Sequence, residues 1–204
     1  DRKYIDKQDV SPVCRMCGDW DETISHILTE CSKLAQKHYK SWRHDKVAQI
    51  LHWEICGRIG VQRSAKWYDH EPEGVVETSR HKVLWDFRVQ TDKRVEHNRP
   101  DLVIYDKEEQ ACKIIDVACP FDTRVKKKAL EKVERYEDLK REVRRIWKCK
   151  EVEVVPVIIG ALGTVHQSMK GWLRKIDMEG SIGRMQQACI LGSARILRLS
   201  LIHI

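Results

Sequence analysis

The chain has 204 residues, of which 42% are apolar and 34% charged, a composition that excludes a disordered or fibrous protein and leaves room for a sizeable core. The formal charge of +7 suits a polyanionic partner, because Lys and Arg that neutralise phosphates gain affinity by releasing counterions. No run of 18 or more apolar residues occurs and the N-terminal stretch has no signal-peptide pattern, so neither a membrane span nor secretion is expected.

Residues 12–31 hold the first motif, Cys14-x2-Cys17-x8-His26-x4-Cys31. A Cys-x2-Cys knuckle supplies two thiolates from one turn, and a His and a Cys on the following segment close a tetrahedron of the kind zinc prefers. So small a module cannot bury enough apolar surface to fold by itself, so the metal is expected to supply its folding energy. A closed four-ligand site leaves no position for substrate, which makes its role structural or nucleic-acid docking. His38 and His44 are alternative ligands ranked below His26. The other five cysteines are scattered among apolar residues and are expected to be reduced, buried thiols in an intracellular compartment.

Residues 32–56 carry Leu34, Tyr39, Trp42, Val47, Ile50, Leu51 and Ile55 at helical spacing, closed by Gly57 and Gly60. The stretch WYDHEPEGVV, with Pro72 and Gly74, reads as a linker, so the expected divisions are 1–60, a linker at 61–75, a domain at 76–178 and a terminal helix at 179–198. From residue 76 the pattern is mixed α/β. KVLWDFRVQT, DLVIY, CKIIDVA and EVEVVPVIIGALG read as strands, with one long helix from Asp122 to about Lys148 before the last of them.

Two carboxylates stand out. Asp116 interrupts the apolar run Ile114-Ile115-Asp116-Val117-Ala118, and Asp101 precedes another, although an ionised carboxylate in such a setting needs a partner or a metal. If DLVIY and CKIIDVA form a hairpin across DKEEQ, chain reversal places Asp101 beside Asp116 at one end of the sheet. Two neighbouring carboxylates repel unless a cation lies between them, and Mg²⁺ or Mn²⁺ suits oxygen ligands. On a helical wheel Val125, Ala129, Val133, Tyr136, Leu139, Val143, Ile146 and Trp147 share one face, and Lys132 falls inside it. A lysine aimed at the sheet can orient a water or stabilise a pentavalent phosphorane; equally, its stem can pack while its ammonium snorkels. Twelve Lys or Arg lie between Arg124 and Lys150 against five acids, so the outer face of this helix can track a phosphate backbone or simply be solvated.

These residues resemble the restriction-enzyme-like endonuclease, of the PD-(D/E)XK superfamily, found at the C-terminus of non-LTR retrotransposon reverse transcriptase polyproteins, where a Cys-Cys-His-Cys knuckle precedes the nuclease. RHDKVAQILHW, LWDFRVQTD, EKVERY and PVIIGALG look familiar in the same context, and the resemblance spans nearly the whole chain. It implies a nuclease-like mixed sheet flanked by helices, with Asp101 and Asp116 as metal-binding acids and Lys132 as the catalytic lysine displaced onto a helix. Ala118 occupies the superfamily's usual lysine position. Arg99, Lys126, Lys127, Lys128 and Arg135 become candidate nucleic-acid contacts, and Asp86, Asp92 and Tyr136 further site residues. The implied cofactors are structural Zn²⁺ and catalytic Mg²⁺ or Mn²⁺. The implied partners are target DNA, element RNA and an upstream polymerase domain, and the implied activity is a nick in nuclear DNA that primes reverse transcription. An element that has lost cleavage and only binds nucleic acid is the alternative.

With no polymerase Tyr-x-Asp-Asp motif and an Asp at its start, the chain is expected to be a fragment. Its tail LSLIHI can be written CTG TCT CTT ATA CAC ATC, a sequencing-library adapter, so residues 199–204 are expected to be a translated artefact.

Overall fold

The computed structural model describes Lys7 and residues 11–202 and has an α/β fold. Five strands, β1 (Val75–Glu77), β2 (His81–Trp85), β3 (Leu102–Asp106), β4 (Ala111–Ala118) and β5 (Glu151–Ile158), lie side by side in sequence order. The first three pairings are antiparallel, while β5 joins β4 in parallel and needs a helical crossover to do so. Helices cover both faces of the sheet. α1 (Ala35–Tyr39) continues through a π-helical segment, Lys40–His44, into α2 (Asp45–Arg58); α3 (Val125–Arg135) and α4 (Glu137–Ile146) form the crossover; α5 (Met169–Arg174) and α6 (Ile182–Ile202) follow.

Alternation along the strands distributes the core between the two faces. Val83, Leu102, Ile115, Val117, Val155 and Val157 pack against Val47, Ile50, Leu51 and Ile55 of α2 together with residues of α5 and α6. On the other face Val103, Cys112, Ile114, Val152 and Val154 meet Tyr136, Leu139 and Val143 of the crossover. The expected boundary at residue 60 therefore separates α2 from the sheet in sequence only. In space α2 is one wall of the sheet's own core.

The elements depart from the sequence reading in three places. β1, three residues long, lies within the expected linker, since a pairing so short leaves no periodicity to read. β2 ends at Trp85 and not at Thr91, because Asp86 takes φ +44° and its N–H turns to the Asp101 carbonyl at 2.8 Å. The long helix divides at Tyr136, whose φ −99° and ψ 8° break the helical course without any proline. Residues 199–202 of the suspect tail continue α6, with Leu199 against the Cys/His cluster; 203–204 lie outside the described residues.

α6 crosses the α1–α2 run very closely. A Cβ at Gly192 would stand 2.2 Å from the Trp42 carbonyl oxygen and 2.6 Å from the Arg43 side chain, so only glycine fits. Arg43, wholly buried, donates to Ser193 Oγ at 3.3 Å and to the Leu28 carbonyl. Gly192→Ala is accordingly expected to cost about 1–3 kcal/mol in urea unfolding, by overpacking. Gly183→Ala on the same helix, where nothing lies within 4 Å of the added carbon, should be neutral or slightly stabilising.

Candidate metal cluster and carboxylate site

The N-terminal cluster is built by a turn. Cys14 N–H donates to the Trp20 carbonyl at 2.7 Å, Val13 and Asp21 form a bridge, and Gly18 turns the knuckle at φ +78°. Amide N–H groups of the turn donate to the sulfurs of Cys14 and Cys17. Cys14 Sγ and Cys31 Sγ lie 4.0 Å apart, Cys17 Sγ and His26 Nε2 3.2 Å apart, and all four ligand atoms fall within 4.8 Å of one another. A tetrahedral ion with metal–sulfur bonds of about 2.3 Å separates its sulfurs by nearly 4 Å, so the cluster could hold a metal such as zinc. Burial pushes the Cys14 thiol up to about 11, a charge that a bound cation would compensate. His26 Nδ1 is buried without a hydrogen-bond partner.

The second site lies at the end of the sheet. In the β3–β4 hairpin Leu102 pairs with Ile115, and continuing that register by one residue sets Asp101 opposite Asp116. Asp106 Oδ1 holds the connecting turn by accepting from the amides of Glu108 and Glu109. Alternation turns Asp116 toward the crossover, where its side chain meets two residues one helical turn apart. Tyr136 donates its hydroxyl to Oδ1 at 2.6 Å, and the Lys132 ammonium forms an ion pair with Oδ2. Both oxygens of this buried carboxylate are thus engaged by the crossover, one by a hydroxyl and one by an ammonium. Burial raises the pKa of Asp116, Asp101 raises it further, and Lys132 opposes both.

Asp101 is held differently. Its Oδ2 accepts from the Val117 amide at 2.6 Å and from His44 Nε2 at 3.1 Å, while His44 Nδ1 lies 2.9 Å from Asp45 Oδ1. Burial alone would depress His44, but its two carboxylate partners outweigh that and raise it to about 9. The expectation of His44 as a substitute zinc ligand is thus replaced by a partnership with Asp101, and His38 stacks on Trp42 instead. No sequence signal could have found the His44–Asp101 contact, which joins residues 57 apart.

The remaining candidates divide. Asp86 lines a small cavity with Lys40, His44, Asp45 and Asp101, and Arg99 clasps Asp86 through its carbonyl and carboxylate. Asp92 sits away from these residues, in an exposed pair with Arg145. Lys126 and Arg135 are exposed on α3, while Lys128 pairs with Glu131 at 2.8 Å. Arg124, Lys127 and Lys128 line a cavity of about 360 Å³ with Thr29, Tyr39 and Cys119, just beyond the end of β4. No helix of the described residues is long and apolar enough to cross a membrane. No protein-family model matches the chain, and no curated protein matches it.

The ion pair at Asp116 predicts a coupled loss of stability. Lys132→Met or Asp116→Asn alone should each cost about 3–5 kcal/mol by leaving one buried charge unpaired, whereas the double variant should regain most of that. Urea unfolding of the four proteins in magnesium-free buffer measures the coupling, and strict additivity of the two losses would refute it.

Proposed function

We propose that the chain is the Mg²⁺- or Mn²⁺-dependent DNA endonuclease segment of a non-LTR retrotransposon reverse transcriptase polyprotein, nicking target DNA to prime reverse transcription. The observation that carries this reading is the meeting, at one sheet end, of two strand carboxylates in register with a buried lysine delivered by the crossover helix. Oxygen donors from Asp101 and Asp116 fit a hard divalent cation, whose charge would offset the repulsion between the two carboxylates. When bound, the cation polarises the scissile phosphodiester.

The chain's own residues do the rest. Tyr136 fixes the rotamer of Asp116, and His44 together with the Val117 amide fixes that of Asp101. Lys132, the counter-cation of Asp116, brings positive charge to the place where the phosphorane gains negative charge. Its place on α3 answers the alanine at position 118, since a helix packed over the strand delivers the ammonium that the strand itself lacks. Arg124, Lys127 and Lys128 give the strand end a basic cavity for the backbone of the DNA, and Lys126 and Arg135 extend that charge along α3. Zinc in the Cys14, Cys17, His26 and Cys31 cluster is structural in this reading, and the knuckle docks nucleic acid beside the cleft. Element RNA and an upstream polymerase domain are the further partners, and the nucleus is the place of action.

One observation favours a non-cleaving, nucleic-acid-binding module instead: both oxygens of Asp116 already have protein partners, as in a purely structural ion pair. Nicking of supercoiled plasmid by the full chain with Mg²⁺ or Mn²⁺ separates the two. Cleavage is expected, falling by about 10²-fold or more in Lys132→Ala and Asp116→Asn. DNA affinity, followed by fluorescence anisotropy, should change little in either variant. Binding without nicking by the wild-type chain under both ions would establish the binding module.

A further inference from the structure

A second group of metal-ligating side chains lies apart from both sites described above. His52 and Cys56 stand one turn apart on α2, and His70 faces them from the segment that follows the short 3₁₀ turn Trp67–Asp69. All three are buried, and their ligand atoms lie within 4.8 Å of one another. His52 Nδ1 is 2.7 Å from His70 Nε2 and 3.5 Å from Cys56 Sγ. From the sequence Cys56 is expected to be a reduced, buried thiol among apolar residues; the fold sets it beside His52 and His70.

We propose that His52, Cys56 and His70 form a second structural metal site, for a zinc-type divalent ion, whose fourth position is taken by water or the Glu73 carboxylate.

The donor set is that of a borderline-soft ion: two imidazoles and one thiolate. Tetrahedral coordination at bond lengths of about 2.0–2.3 Å places a nitrogen and a sulfur ligand some 3.5 Å apart, as His52 and Cys56 already stand. The two imidazole nitrogens lie at hydrogen-bonding distance, and a metal between them requires them to part by about half an ångström. The outer partners suit a ligand set. His52 also hydrogen-bonds the Glu73 backbone, and its Nδ1 lies toward Cys56 and His70. Gln49 Nε2 donates to the His70 carbonyl and fixes the backbone that presents the ring.

Charge is also arranged for it. The Glu73 carboxylate bears on Cys56 and His70, offsetting Arg63, whose charge bears on the same two residues from the opposite sign. The ion would tie residues 61–74, a stretch with little regular structure, onto α2. His52 in turn packs edge-on against Trp85, the last residue of β2 before Asp86, so the staple supports one wall of the carboxylate cleft.

Metal content of the purified full chain, prepared with zinc under reducing conditions, tests this independently of nuclease activity. The expected result is two equivalents of zinc in the wild type, one in Cys17→Ser, one in Cys56→Ser or His70→Asn, and none when Cys17→Ser is combined with either. Cobalt substitution of Cys17→Ser should retain a thiolate-to-metal charge-transfer band that vanishes on adding Cys56→Ser. A wild-type stoichiometry of one, lost in Cys17→Ser, overturns the proposal however the variants fold, and leaves the triad a hydrogen-bonded cluster. Two equivalents that persist in folded Cys56→Ser and His70→Asn also overturn it, by placing the second ion elsewhere.

Discussion

An ionised carboxylate inside an apolar strand is costly, and much of the architecture around β4 answers the cost of Asp116. Its neighbours Ile114, Ile115 and Val117 are fully or almost fully buried, so no solvent reaches it along the strand. The compensation comes from the crossover helices: an ammonium from Lys132 and a hydroxyl from Tyr136, four residues apart on the helical path that breaks at Tyr136. A crossover helix is required in any case to bring β5 parallel to β4. The same element therefore closes the sheet and neutralises the charge within it. β5 accommodates this with Pro156 opposite Asp116, which an edge strand tolerates because one side of its ladder is unpaired.

The helical run of residues 35–58 links two Cys/His clusters to the sheet. Near its beginning lies the Cys/His knuckle, whose apolar residues Ile27, Leu28 and Leu34 join Ile196 of α6. Near its end lies the His52, Cys56 and His70 triad. Between them, His44 reaches Asp101 and the Tyr39 hydroxyl accepts the Cys119 amide at 3.0 Å. Both contacts fall on the strand ends that carry the two acids. The apolar face of α2 packs on the sheet, while polar residues of the same run, Lys40, His44 and Asp45, line the cleft.

Arg43 shows how tightly the knuckle side is joined to the rest. A fully buried guanidinium that donates to Leu28 and Ser193 connects the π-helical segment to α6, and the absence of a side chain at Gly192 lets the two backbones meet. Such a crossing is rigid, because neither the charge nor the close approach tolerates a shift of the helix. The knuckle is consequently carried on the same frame as the carboxylate cleft, and Thr29, between its ligands His26 and Cys31, shares a cavity with Arg124, Lys127 and Lys128.

Periodicity and spacing determined a good deal. The Cys-x2-Cys-x8-His-x4-Cys interval contains its own geometry, since all four ligands lie within one short stretch of chain. The Asp101–Asp116 juxtaposition also follows from the sequence, because a hairpin between DLVIY and CKIIDVA fixes the register of its two ends. Lys132 was legible from the helical wheel for the same reason: the apolar stripe that must face the sheet carries the lysine with it. Tertiary structure decided what lies beyond such local repeats. The role of His44 depends on a strand 57 residues away, the triad joins α2 to a loop without periodicity, and β1 is too short to leave a pattern. Packing also made α2 part of the sheet's core, where composition had marked a boundary after it. Local patterns record which face of an element is buried; only the folded chain decides which distant polar group meets it there.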